Sequence, residues 1–311
     1  MRRSRRPASP KRRTCRVGAC RRTAPCSRAE VYSPGPFAGL SGSLNSASFR
    51  AVKLRIIATL LASVALPHSA VAVMVLILSS GDSSLDTTAQ NVFTSAGHTV
   101  AIGPQYTAFT GAELSGAQAV LFLANANWNS GDMPVAGQSA LVNFVNAGGG
   151  LITGEWVNWK VGSGGLTTLA PLMPVTVSTQ WTGGSAITYT EALADSVLSA
   201  GLPTSFTFPG DNFSGVESFF TAKPGAIAYY TSSGGAGGAG VVAWTQGNGR
   251  VLQISTTIGS GQLGTADYAR LLNNSVEFVS VPEPSAFALL GLGVLLVWLR
   301  RRAAPRDVCR W

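Results

Sequence analysis

The chain has 311 residues and a formal charge of +9, but the basicity is terminal. Residues 1–55 hold 14 Lys/Arg against Glu30 alone (net +13), residues 56–281 hold 4 against 11 acids (net −7), and residues 282–311 hold 5 against 2 (net +3). A middle whose only cations are Lys160, Lys223, Arg250 and Arg270 disfavours a nucleic-acid-binding domain, which needs clustered Lys/Arg. Its lack of cysteine excludes there a disulfide scaffold, a thiolate metal site and a cysteine nucleophile.

Residues 1–51 form an Arg-rich leader, expected either to be a disordered basic arm or to come from an over-extended start, with translation beginning near Val52. From Lys53 the chain reads as a basic n-region, an apolar run Ile56–Leu66, and then Ala70-Val71-Ala72 of the small-x-small type. Residues 52–72 are therefore expected to be a secretory signal cleaved after Ala72. Pro67, His68 and Ser69 interrupt the apolar run and argue against a membrane helix continuing into the next segment.

Residues 73–281 read as one α/β domain. Val73–Leu78 is a continuous apolar run, the pattern of a strand buried on both faces. Leu85, Ala89, Val92, Phe93 and Ala96 then recur at helical spacing, and Gly97 can close the helix. Strands are expected at Thr99–Ile102, Gln118–Ala124 and Gly150–Thr153, with a helix over Gly137–Ala147. Such alternation predicts a doubly wound, mostly parallel sheet. After residue 170 the pattern becomes β-rich, with strands expected at Val175–Thr179, Ile187–Thr190, Ala226–Thr231 and Val241–Thr245, and a glycine-rich hairpin or loop over Gly234–Gly240. A strand at Gly249–Ser255 and a helix at Asp267–Val279 complete the domain.

This stretch resembles the class I glutamine-amidotransferase-like superfamily, especially its ThuA-like branch. The resemblance is carried by the first strand and helix, Gly148–Trp156, Leu198–Pro203 with Phe206, and Gly247–Leu252 before the helix holding Asn273 and Asn274. It implies a flavodoxin-like α/β fold with a β-rich insertion. Catalytic members carry a cysteine on the turn after the strand matching Leu151–Thr153 and a histidine near the C-terminus. Here Gly154-Glu155-Trp156 occupies that turn, and Thr256–Ser260 offers no histidine. Amidotransferase chemistry is not expected. His98 stands at the start of a strand, away from the C-terminal sheet edge where such folds bind ligands, so a surface or structural role is expected.

Pro282-Glu283-Pro284, a short apolar run over 286–299 and then Arg300, Arg301 and Arg302 close the chain. The run would reach about 21 Å as a helix, short of the roughly 30 Å hydrocarbon core, though Trp298 and snorkelling arginines extend it. A single C-terminal transmembrane helix is expected, with the arginines and residues 303–311 cytoplasmic. The order of these three parts resembles the PEP-CTERM sorting signal, here residues 282–302. That resemblance implies recognition by the membrane enzyme exosortase. It also implies export to the surface or extracellular matrix of a Gram-negative bacterium that makes exopolysaccharide.

The remaining chemistry lies at the C-terminal sheet edge. Asp82 is expected there after the first strand, Asn125, Asn127 and Trp128 after the third, and Glu155, Trp156, Asn158 and Trp159 after the fourth. Asn amides and carboxylates can orient sugar hydroxyls while indoles stack on pyranose faces, so the set could bind carbohydrate. In the other reading the tryptophans cover the edge and the asparagines make turns. Glu155 with Asp82 or Asp211 could in principle be an acid and base pair for glycoside hydrolysis. Asp82-x-x-x-Asp86 reads as an N-cap and first-turn acid rather than a calcium loop, and no metal or cofactor is expected. The leading expectation is an exported, non-catalytic surface or matrix protein with a structural or glycan-binding role. The alternative is an extracellular hydrolase or sugar-modifying enzyme that uses Glu155.

Overall fold

The computed structural model describes residues 72–182, 186–210, 217–234 and 238–280, with Gly293, Leu295 and Leu296. Strand β1 (Met74–Ser79) shows why its sequence is apolar at successive positions. Val75 and Ile77 enter the core on one side of the sheet, while Leu76 and Leu78 enter the core on the other. A strand at the centre of a doubly covered sheet has no polar face to show.

β1 lies between β2 (Thr99–Gln105) and β3 (Ala119–Phe122), and β4 (Gly150–Thr153) and β11 (Gly249–Ile254) follow, all parallel. The order β2-β1-β3-β4-β11 is the flavodoxin-like one. Helices α1 (Ser83–Ser95) and α5 (Ala266–Ser280) supply Leu85, Phe93, Tyr268, Leu271 and Leu272 to one core. Helices α2 (Val135–Asn146) and α3 (Glu155–Gly162) supply Leu141, Val145, Trp156 and Val157 to the other. A short helix, α4 (Ser260–Leu263), precedes α5.

The β-rich insertion extends this same sheet. β10 (Ala239–Gln246), β9 (Ile227–Ser232), β6 (Ile187–Glu191) and β7 (Ser205–Phe208) continue from β11, each antiparallel to its neighbour. β5 (Val175–Thr182) and β8 (Glu217–Ala222) form a separate two-stranded sheet. Sequence periodicity does not anticipate β7, β8 or α3. The loop expected after β4 is instead the first turn of α3, whose side chains are buried almost all round and so show no amphipathic signature.

Among the described residues no helix is long and apolar enough to cross a membrane. The membrane helix expected at 286–299 lies outside them except for Gly293, Leu295 and Leu296, which are helical. The leader, the signal-peptide residue Ala70, Pro282, Glu283, Pro284 and Arg300–Arg302 also lie outside the described residues.

His98 proves structural and buried, at 4% exposure. Its Nδ1 accepts the Val73 amide at 3.3 Å, which leaves the proton of the neutral ring on Nε2. Burial lowers its pKa from 6.5, partly opposed by the Glu277 charge. The unfolded chain takes up this proton at a higher pH than the folded one. Its contribution to stability is therefore complete above the unfolded value and is lost as pH falls through the folded value. Urea unfolding at about pH 7.5 and about pH 5.5 should show a loss of stability on acidification that is smaller in His98→Gln. Equal pH slopes in the two proteins would refute this.

Candidate functional site

The C-terminal ends of β1, β3, β4 and β11 meet at one edge, and the structure brings most of the expected residues there. Asp82 is exposed and caps α1, its Oδ1 accepting the amides of Ser84 at 2.9 Å and Leu85 at 3.5 Å. Asp86 is 4% exposed. Its carboxylate accepts the Ser79 hydroxyl at 2.6 Å and the Ser80 amide at 2.8 Å, folding the first loop onto the helix. Asp82 does the capping work expected of an N-cap, and Asp86 is the expected first-turn carboxylate.

After β3 the asparagine amides hold backbone. Asn125 Nδ2 donates to the Ile258 carbonyl at 3.2 Å, joining this loop to the segment after β11. Asn127 is 3% exposed, and its Nδ2 donates to the Ser79 carbonyl at 3.0 Å and to Gln105 Oε1 at 3.2 Å. Two residues the sequence reading missed pin the same loop from below. The Tyr106 hydroxyl shares its proton among the carbonyls of Asn127 (2.8 Å), Gly131 (3.0 Å) and Trp128 (3.3 Å). Lys160 Nζ donates to the Trp128 carbonyl at 3.1 Å and to the Gly131 carbonyl. Burial raises the Tyr106 pKa to about 12, with the Asp132 charge adding to the shift, and burial lowers that of Lys160 against the same charge. A lysine set between Trp159 and Val161 was the signal available for Lys160.

The three tryptophans pack on one another. Trp128 and Trp156 stack at 4.6 Å with their planes 19° apart. Trp159 meets Trp128 edge-on at 5.1 Å and Trp156 at 5.8 Å. Trp156 is 8% exposed, and Trp128 and Trp159 are half-buried. The stacked faces that would carry a pyranose ring thus cover each other.

Glu155 opens α3 with its side chain fully buried and its amide donating to the Thr256 carbonyl at 3.0 Å. The crevice beside it has no room for a water-sized body. Among the described residues that line it, Glu155 is the one carboxylate, and the others include Asn125, Trp156, Thr257 and Ile258. Asp82 serves as a cap rather than as a lining residue, and Asp211 lies outside the described residues. Among the described residues no group of three or more His, Cys, Asp or Glu could hold a metal ion.

The PEP-CTERM protein-sorting motif matches residues 280–303. No curated protein matches the chain. Two cytoplasmic proteins of Salmonella typhimurium are similar in structure. One has a TM-score of 0.52 at 14% identity over 67% of this chain and 99% of its own. The other has a TM-score of 0.50 at 15% identity over 66% and 98%. A ThuA-like protein from Parabacteroides merdae has a TM-score of 0.49 at 13% identity over 68% and 91%. At such identities the likeness is one of fold. What the sorting motif adds is destination: it implies a protein that is exported, processed by exosortase, and placed at the cell surface or in the extracellular space.

Proposed function

We propose that this protein is a non-catalytic building block of the bacterial surface or matrix, held in the membrane by residues 286–299 until exosortase processes it. The observation that carries this reading is the filled crevice at Glu155. Glycoside hydrolysis needs two carboxyl groups about 5–10 Å apart with a sugar between them. The crevice has one carboxylate and no room for water. Its neighbours Asn125 and Asn127 hold backbone carbonyls, and Trp128 and Trp156 hold each other. In this reading the edge that binds ligands in other open α/β sheets is a structural plug.

The test is a hydrolysis assay of the full chain and of Glu155→Gln on a panel of aryl glycosides and on exopolysaccharide from a producing strain. Both proteins should give the rate of the buffer blank. Saturable turnover by the unaltered protein that Glu155→Gln abolishes would establish the hydrolase alternative instead.

A further inference from the structure

The antiparallel extension carries a surface that the plugged edge leaves unexplained. On one face of β6, β7 and β9, alternate residues Tyr189, Phe206, Phe208 and Tyr230 are buried in the core. The other face therefore carries the residues between them, since side chains alternate along a strand. Those residues are hydroxyl-bearing: Thr188 and Thr190 on β6, Ser205 and Thr207 on β7, and Thr231 on β9 with Ser233 just beyond it. All are exposed except Thr188, which is half-buried.

Register sets them in two rows. Thr190 pairs with Thr231 on one side and Ser205 on the other. Thr188 pairs with Thr207, and its amide donates to Ser233 Oγ at 2.9 Å. Neighbouring strands lie about 4.8 Å apart, and rows two residues apart are separated by about 6.8 Å. The six positions carry no charge.

Their hydrogen bonding is incomplete. Thr188 and Thr207 share one bond at 2.8 Å, and Thr190 and Ser205 share one at 3.2 Å. Thr231 donates to the Thr190 carbonyl at 3.2 Å. Each hydroxyl has one proton and two lone pairs. One proton in each shared pair and that of Ser233, three in all, have no partner among the described residues, and most of the lone pairs are open too.

We propose that this grid binds a neutral polysaccharide strand. Sugar hydroxyls are uncharged and both donate and accept, which is what the grid offers. Each such bond exchanges for one to water and gains little. Binding therefore needs a polymer that engages several positions at once, where the later contacts become intramolecular. A second copy adding a strand at β7 fits less well, because this edge strand has four residues and lies between Pro203 and Pro209. Short strands and prolines blunt an edge against pairing. The inference rests on the proposed place of the protein at the surface or in the matrix and names its partner there.

The test is co-sedimentation of the full chain with microcrystalline cellulose, and affinity electrophoresis in a soluble neutral β-glucan and in alginate. The variants are Thr188→Val/Thr190→Val/Thr207→Val, which keeps the β-branched shape at each position, and Thr87→Val/Thr94→Val on α1 as a control. The full chain and the control should bind at least one neutral polymer, unaffected by added salt or free glucose, and the triple variant should bind about tenfold more weakly. No binding to either neutral polymer, retention only in alginate, or equal binding by the triple variant overturns the proposal. So does a concentration-dependent dimer that the triple variant abolishes, since the face would then meet a second copy. Matching circular dichroism of the three proteins excludes misfolding. Failure here leaves the Glu155 assay untouched, and turnover in that assay leaves the grid untouched.

Discussion

Gly249→Ala is expected to cost about 3 kcal/mol or more of folding stability, because the added methyl would collide with backbone on two sides. Gly249 opens β11 after the two-residue turn Gly247-Asn248, where Gly247 has φ +61. Such tight hairpins place glycine where φ must be positive. Asn248 donates its amide to the Asn146 carbonyl at 3.1 Å, which presses the turn onto the end of α2. A Cβ on Gly249 would lie against the carbonyl oxygens of Gly149 and Val145, neither of which belongs to a side chain that could swing away. Relief would require prising β11 from β4 at the centre of the sheet. Gly261→Ala in α4, where a Cβ meets nothing within 4 Å, serves as the control. It should be neutral or stabilise by up to about 1 kcal/mol, since glycine is the poorer helix former. Urea unfolding of both variants measures this, and a Gly249→Ala midpoint equal to that of the parent would sink the argument.

Trp156→Ala should cost about 3–5 kcal/mol, the range for truncating a buried aromatic. The indole is 8% exposed, stacks on Trp128 and is met edge-on by Trp159, so its removal leaves a void bounded by two half-buried rings. Trp156→Phe should recover much of the loss. A phenyl ring keeps the stack, and the buried Nε1 it removes makes no hydrogen bond among the described residues. An unpaired buried donor opposes folding, so losing it offsets part of the lost area. Thermal unfolding followed by tryptophan emission separates the two substitutions. If Trp156→Ala unfolds with the parent, the indole does not hold the edge together, and a ligand-binding role for Trp128, Trp156 and Trp159 regains its case.

Elements with a strong local signature were legible in the sequence. β1 shows as an unbroken apolar run, α1 as a 3.6-residue period behind the cap Asp82, and α5 as a periodic face of Tyr268, Leu271, Leu272 and Val279. α3 was not legible, because Gly154 offers no capping side chain and the helix buries Glu155, Trp156, Val157, Asn158 and Lys160 together. β7 is four residues between prolines, too short to rise above the surrounding turns, although Phe206 and Phe208 do alternate with Ser205 and Thr207. The candidate site divides the same way. Placing Asn125, Trp128, Glu155 and Trp156 at one sheet edge needed only strand order. Learning that the amides bind backbone and the indoles bind each other needed their positions in space.

The sequence by itself determined the address and the chemistry available: an exported chain with a sorting motif at 280–303, a middle without cysteine, and one histidine among its core-forming residues. It also determined the parallel half of the sheet, because the burial of β1, β3 and β4 on both faces is written into consecutive residues. Tertiary structure alone decided whether Glu155 faces a pocket or a plug, and whether Thr188-x-Thr190 and Ser205-x-Thr207 are two unrelated strands or one grid. Periodicity is a property of neighbours in the chain. Cavity volume and strand register arise between residues tens of positions apart, where the packing of the whole sheet selects one arrangement among many that the local patterns permit.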